Sequence, residues 1–433
     1  MLDRRTVLAT GIAAAALKGT SAFAASPGFP KGFRWGTATA GHQVEGNNVA
    51  SDMWFVEHSK PTIFVEPSGD ACNSLDLWAT DLDLVKGLGL NTYRFSLEWS
   101  RIEPEEGRFS LAMLDHYKAI IAGCHARGLT PFVTFNHFTA PLWFAAKGGW
   151  TNPTAPDLFA RFCDRAVRHL GEGIGYAATL NEPNAVRLVP DLLPKQYEQV
   201  VRDCYAAAAK AKGVPKFTLS QMVLSEDADV TTANMIKGHK LGRAAIKAVR
   251  ADIPVGVTLS IQDETAQGAT TLRDQKRKQY YSEWLAAAKG DDFLGVQTYF
   301  RNVWGPDGKV KQPPVGRLNG DKEVVQPDAL GATVRYAHEQ TGCPIFVTEH
   351  GMQTPDDSVR AWMIPEALKS LKSAMDDGVP VIGYLHWSLL DNFEWMIGYR
   401  HHYGLVAVDR QTFKRTPKPS AAVYGAIARR NSV

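Results

Sequence analysis

Eight short runs rich in β-formers recur along this chain with helix-like stretches between them, and that alternation restricts the fold more than any other feature. The runs cover residues 33–39, 92–96, 131–135, 177–180, 255–260, 293–298, 345–348 and 381–387, and stretches such as 111–127 and 156–170 read as helices. Strands alternating with helices indicate a parallel α/β architecture. Eight β-α units can close on themselves, so a single (β/α)8 TIM barrel is expected over residues 25–433. No Ser/Pro-rich linker or change of composition divides the chain. Two segments fit less neatly. Residues 187–250 form a long insertion after the fourth strand, with a candidate extra strand at 217–222. Residues 303–326, rich in Gly, Pro, Lys and Asp, read as an irregular loop after the sixth strand, where long loops serve binding.

Bulk properties exclude several function classes. The formal net charge is +3 and no long basic run occurs, which argues against a nucleic-acid partner. Residues 1–24 read as an export signal: Arg4-Arg5 precede an Ala-rich apolar stretch, and Ala22-Phe23-Ala24 offers a cleavage site. The adjacent arginines resemble a twin-arginine address, with a general secretory signal as the alternative; either implies a periplasmic or secreted protein. No other apolar run is long enough to span a bilayer, so no membrane association of the mature form is expected. Cys72, Cys124, Cys163, Cys204 and Cys343 are scattered and odd in number, which reads as buried thiols rather than a disulfide framework. No metal-ligand spacing appears, and neither metal nor cofactor is expected; adjacent His401 and His402 seldom share a ligand.

The chemistry-bearing residues gather where strands should end. Thr179-Leu180-Asn181-Glu182-Pro183 and Phe346-Val347-Thr348-Glu349-His350-Gly351 each place a glutamate just after a strand-like run. Two carboxylates facing across a pocket can cleave a glycosidic bond, one protonating the leaving oxygen while the other attacks the anomeric carbon or activates water. Gln43, Arg94, His137, Tyr299 and the block Trp387–Trp395 occupy corresponding positions at other strand ends. Residues at the C-terminal ends of several barrel strands converge on one site. Eleven tryptophans, several in loop-like contexts, suggest apolar platforms for sugar faces.

With these motifs in place, the chain resembles glycoside hydrolase family 1, the retaining β-glucosidases and their relatives, from about Phe29 to Ala422. The resemblance rests on Asn181-Glu182-Pro183, Thr348-Glu349-His350-Gly351, the Trp387–Trp395 block, Arg94 in Tyr-Arg-Phe-Ser, and the opening Phe-x-Trp-Gly-x-Ala-Thr-Ala. It implies Glu182 as acid/base and Glu349 as the nucleophile of a double displacement through a covalent glycosyl-enzyme, with Arg94 and Tyr299 contacting Glu349. It implies that Gln43, His137, Asn181, Gln297 and Glu394 meet the hydroxyls of the first-subsite sugar. Trp387 would lie beneath that sugar and Trp395 would donate its indole N–H. The implied substrate is a small β-glucoside or oligosaccharide.

Four positions depart from the family pattern: His350 and Gln297 each replace Asn, Thr298 replaces Tyr, and Phe138 replaces Trp. The carboxylates are untouched, so sugar preference is more open than reaction type. The alternatives are β-galactosidase or β-fucosidase specificity, a transglycosylase with the same catalytic pair, and an inactive sugar-binding protein. Phe138, Trp143 and Trp304 are the apolar residues that would face an acceptor or aglycone.

Overall fold

The computed structural model describes residues 28–433 apart from Lys195 and Gln221. The expected export signal therefore lies outside the described residues. Eight strands, β1 (Arg34–Ala38), β2 (Thr92–Ser96), β3 (Thr130–Asn136), β4 (Tyr176–Asn181), β5 (Val255–Ser260), β6 (Leu294–Thr298), β7 (Ile345–His350) and β8 (Val381–Trp387), form a closed parallel barrel. Each strand pairs with its successor, and β8 returns to β1 with Arg34 opposite Gly383 and Ala38 opposite Trp387. The expected (β/α)8 barrel is present, with strand limits within two residues of the sequence-based ones.

Eight helices clothe it: α1 (Ser74–Gly87), α2 (Leu111–Ala126), α3 (Ala155–Leu170), α4 (Ala228–Val249), α5 (Arg273–Ala287), α6 (Ala329–Thr341), α7 (Asp357–Asp376) and α8 (Pro419–Arg430). Local sequence explains their placement. The Ser110 hydroxyl accepts the Met113 N–H and caps α2. On α3, Phe159, Phe162, Cys163, Ala166, Val167 and Leu170 recur at helical spacing and are buried together. No helix of the described residues is long and apolar enough to cross a membrane. All five cysteines are free and buried, as expected.

The barrel floor is aromatic. Phe346 is fully buried, with its ring centroid 5.2 Å from Phe132, 5.3 Å from Tyr176 and 6.0 Å from Phe293, all edge-on. Interdigitated rings leave no room to collapse around a deletion, so Phe346→Ala is expected to cost about 3–5 kcal/mol. Equilibrium urea unfolding would measure it, and a loss below ~1 kcal/mol would contradict this account of the floor.

Two expectations are corrected. Residues 217–222 are not a strand: among the described positions the backbone is irregular, and Phe217 and Leu219 are buried against Met53, Val56, Tyr205 and Phe393. A closed barrel has no edge to recruit another strand. Short parallel pairing occurs instead between Asp263–Ala266 and Arg301–Trp304, which prolong the paths of β5 and β6 beyond the barrel. The loop at 303–326 is irregular as expected after Trp304. Glu349, expected just past its strand, lies inside β7.

Candidate active site

Register irregularities place the key side chains. Between β6 and β7, Val296 pairs with Val347 but Gln297 pairs with Glu349, so Thr348 is the extra residue of a bulge. Without it Thr348 would oppose Gln297. Between β4 and β5, Ala178 pairs with Gly256 and Asn181 with Thr258, again with one extra residue on one strand. Glu182 follows immediately, its N–H donating to the Thr258 carbonyl at 2.8 Å.

Glu349 is held from three sides. Arg94 Nη1 donates to Oε1 at 2.6 Å, Gln297 Nε2 to the same oxygen at 2.8 Å, and the Tyr299 hydroxyl to Oε2 at 2.6 Å. Arg94 is fully buried and also donates to Asn181 Oδ1, Thr134 Oγ1 and the Thr348 carbonyl. Asn181 Oδ1 further accepts Gln297 Nε2 at 2.8 Å and the Thr258 hydroxyl at 3.1 Å. With that oxygen committed to three donors, the Asn181 amino group donates to His137 Nε2 at 3.1 Å, which leaves the imidazole proton on Nδ1. Burial and the Arg94 charge hold His137 neutral, far below the usual histidine range.

The two glutamates differ electrostatically. Burial pushes the Glu182 carboxyl up to about 8, and the Glu349 charge adds to the rise against weaker lowering by Ser260 and Arg94. Burial also raises Glu349, but Arg94 and Tyr299 oppose it directly. Of the pair, Glu182 therefore keeps its proton and Glu349 gives its up.

Both line a cavity of about 350 Å³ with His137, Phe138, Asn181, Tyr299, Trp387, Glu394 and Trp395. The His137 ring lies nearly parallel to both indoles, with centroids 5.7 Å from Trp387 and 6.1 Å from Trp395. Gln43 Nε2 donates to the Phe393 carbonyl at 2.7 Å and Asn392 Oδ1 at 3.0 Å. Burial, then the Glu349 charge, push Glu394 up to about 8. Three wall residues, Phe138, Glu182 and Trp395, sit at φ of 71°, 43° and 53°, left-handed backbone that costs non-glycine residues about 1–3 kcal/mol each. Such strain clusters where side chains must be aimed.

The residues given catalytic or sugar-binding roles from the sequence are brought to this region, but two of the three expected acceptor-side residues are not. The Trp304 indole donates to Glu264, and Trp143 donates to the Glu103 carbonyl and packs on Trp99; neither lines the cavity. Of the supposed acceptor-side residues only Phe138 does. His350 bonds the Tyr384 hydroxyl at 2.8 Å, so this departure from the family pattern packs between β7 and β8. Gln297, with its extra methylene, reaches Asn181 and Glu349 together. Sequence reasoning missed Ser260, which ends β5, Gln262 just beyond it, and Tyr403. Gln262 Oε1 accepts the Tyr299 backbone N–H at 2.8 Å and so holds the chain just past β6. The rule of reading strand ends, applied to β5, would have found both. Tyr403, set 5.9 Å from Tyr299, follows no spacing signal. The loop at 303–326 adds Asn319, Asp321 and Glu323 to the rim.

Residues 25–207 and 307–433 match the profile of Glycosyl hydrolase family 1. The chain belongs to that family. β-Glucosidase A of Thermotoga maritima is 29% identical over 94% of this chain and 98% of its own length. A crystal structure of a β-glycosidase shares 45% identity, covering 94% of this chain and 98% of that one, with a TM-score of 0.89. The Thermotoga maritima β-glucosidase in complex with glucoimidazole superposes with a TM-score of 0.82 at 25% identity, covering 94% of this chain and all of the other. As a member of the family, the protein is a glycosyl hydrolase with β-glycosidase activity toward small sugar substrates.

Proposed function

We propose that the protein is an exo-acting, retaining β-glucosidase in which Glu349 is the nucleophile and Glu182 the acid/base. The observation that carries this reading is the asymmetry of the two carboxyls. Glu349 is gripped by a guanidinium, a phenol and an amide, which hold it ionised and aimed. Glu182 faces the same cavity with no cation bonded to it among the described residues and its pKa at about 8, so it carries a proton at neutral pH. In the first step Glu349 attacks the anomeric carbon as Glu182 protonates the departing oxygen, giving a covalent glycosyl-enzyme. Water, deprotonated by Glu182, then releases the sugar with its configuration restored.

Recognition follows from polar atoms buried around the cavity without protein partners: Gln43 Oε1, His137 Nδ1, Gln297 Oε1 and Glu394 Oε1. Buried polar groups are costly unless bonded. Sugar hydroxyls offer both donors and acceptors to satisfy this set, and Trp387 and Trp395 supply flat apolar faces. A glucoside is favoured because Glu394, with Oε1 unpartnered at the cavity, stands where the family resemblance implies contact with O4 and O6 of the sugar. Proton NMR of an aryl β-D-glucoside reaction, read in its first minutes, tests the mechanism. β-Glucose appearing first and then mutarotating is expected; α-glucose first would remove Glu349 as nucleophile.

A further inference from the structure

Glu98 is fully buried and is not part of the cavity wall, yet its carboxylate collects donors from three strand-end segments. Oε1 accepts the His42 backbone N–H at 2.9 Å, at the start of the turn that carries Gln43. Oε2 accepts the Asn48 side-chain amide at 2.6 Å and the Thr139 hydroxyl at 2.8 Å. Thr139 lies two residues beyond His137. The Ser100 hydroxyl, 3.5 Å from the same oxygen, holds Asn48 Oδ1 at 2.8 Å. Glu98 is itself anchored after β2, its N–H donating to the Tyr117 hydroxyl at 3.1 Å.

Among the described residues no lysine or arginine pairs with this carboxylate; nearby Arg101 is engaged by Glu45 at 2.7 Å. A buried carboxylate with no cation bonded to it is expensive even with the His42 and Arg101 charges nearby, and apolar packing would stabilise the region more cheaply. What the carboxylate adds is acceptor capacity for several donors at once. The fit is close: a Cβ on Gly41 would stand 2.7 Å from both Cγ and Oε1 of Glu98. The position before His42 is thus open only to glycine while the carboxylate is in place.

We propose that Glu98 is a positioning residue, clamping the β1 and β3 ends so that Gln43 and His137 are correctly spaced for one sugar ring. The proposal rests on the reading of Gln43 and His137 as first-subsite contacts. Glu98 touches no substrate. Its effect on turnover passes entirely through those two side chains, and a misplacement near 1 Å is enough to cost about 10–100-fold.

A mutant cycle separates this role from general structural support. Glu98→Gln would be made in the native chain and in the Gln43→Ala/His137→Ala background, with kcat/KM on an aryl β-glucoside and a thermal melt for each. Expected is a loss of about 10–100-fold in the native background but less than about twofold in the other, because the clamp has nothing left to position. An equal loss in both backgrounds overturns the proposal. A Gln43→Ala/His137→Ala chain with native kcat/KM overturns the subsite reading instead, and the proposal with it. Should Glu98→Gln fail to fold, Thr139→Val removes one donor to Oε2 and enters the same cycle with the same criteria.

Discussion

Glu349→Gln is expected to lower kcat on β-glucosides by about 10⁴–10⁶-fold, the scale seen when a covalent nucleophile is removed. The substitution keeps shape and burial but deletes the attacking oxygen anion. It also places an amide nitrogen among donors: Arg94 Nη1 and Gln297 Nε2 both point at Oε1, and the Tyr299 hydroxyl at Oε2. Arg94 retains Asn181, Thr134 and the Thr348 carbonyl, so the fold is expected to survive with reduced stability. Single-turnover kinetics with mass spectrometry checks the catalytic loss, because a glycosyl-enzyme accumulates in the parent and not in the variant, and a thermal melt checks the stability. Retention of more than a hundredth of the parent rate would sink the assignment.

Glu182→Gln is expected to slow cleavage of alkyl glucosides by about 10²–10⁴-fold, the usual worth of general acid–base catalysis. It should hardly affect glycosyl-enzyme formation from aryl glucosides whose leaving groups need no proton. The sign of the pH effect follows from the raised pKa. Below about 8 Glu182 is the proton donor, and as pH rises through that value the acid form is lost. The alkaline limb of kcat/KM in the parent should lie near there and vanish in the variant. An unchanged alkaline limb would assign the acid elsewhere. The same electrostatics explain the second step. Part of the rise in Glu182 comes from the Glu349 charge, and esterification of Glu349 cancels that charge. The Glu182 pKa then drops, and the former acid becomes the base that activates water.

Much of this was legible from residues alone because barrel strands are local objects. Runs of β-formers between helices announce them, and a polar residue directly after such a run lands at the barrel mouth whatever the rest of the chain does. Glu182 and Tyr299 were accessible for that reason, whereas Arg94 and Trp387, inside and at the end of their runs, were picked out by the motifs around them. Features that depend on facing were not. Trp143 and Trp304 sit in loop-like contexts, yet their indoles turn to Glu103 and Glu264. Hydrophobicity gives no sign of which way a loop side chain points.

Sequence by itself therefore determined the (β/α)8 architecture and the convergence of two glutamates on one mouth, since both follow from local pattern and chain order. Tertiary structure alone decided the rest. Bulges set Glu349 rather than Thr348 opposite Gln297, and closure of the barrel left residues 217–222 without an edge to join. The network around Arg94 and Asn181 assigned the His137 proton. Register, closure and buried hydrogen bonding are pairings between distant segments, and no local stretch of residues encodes its partner.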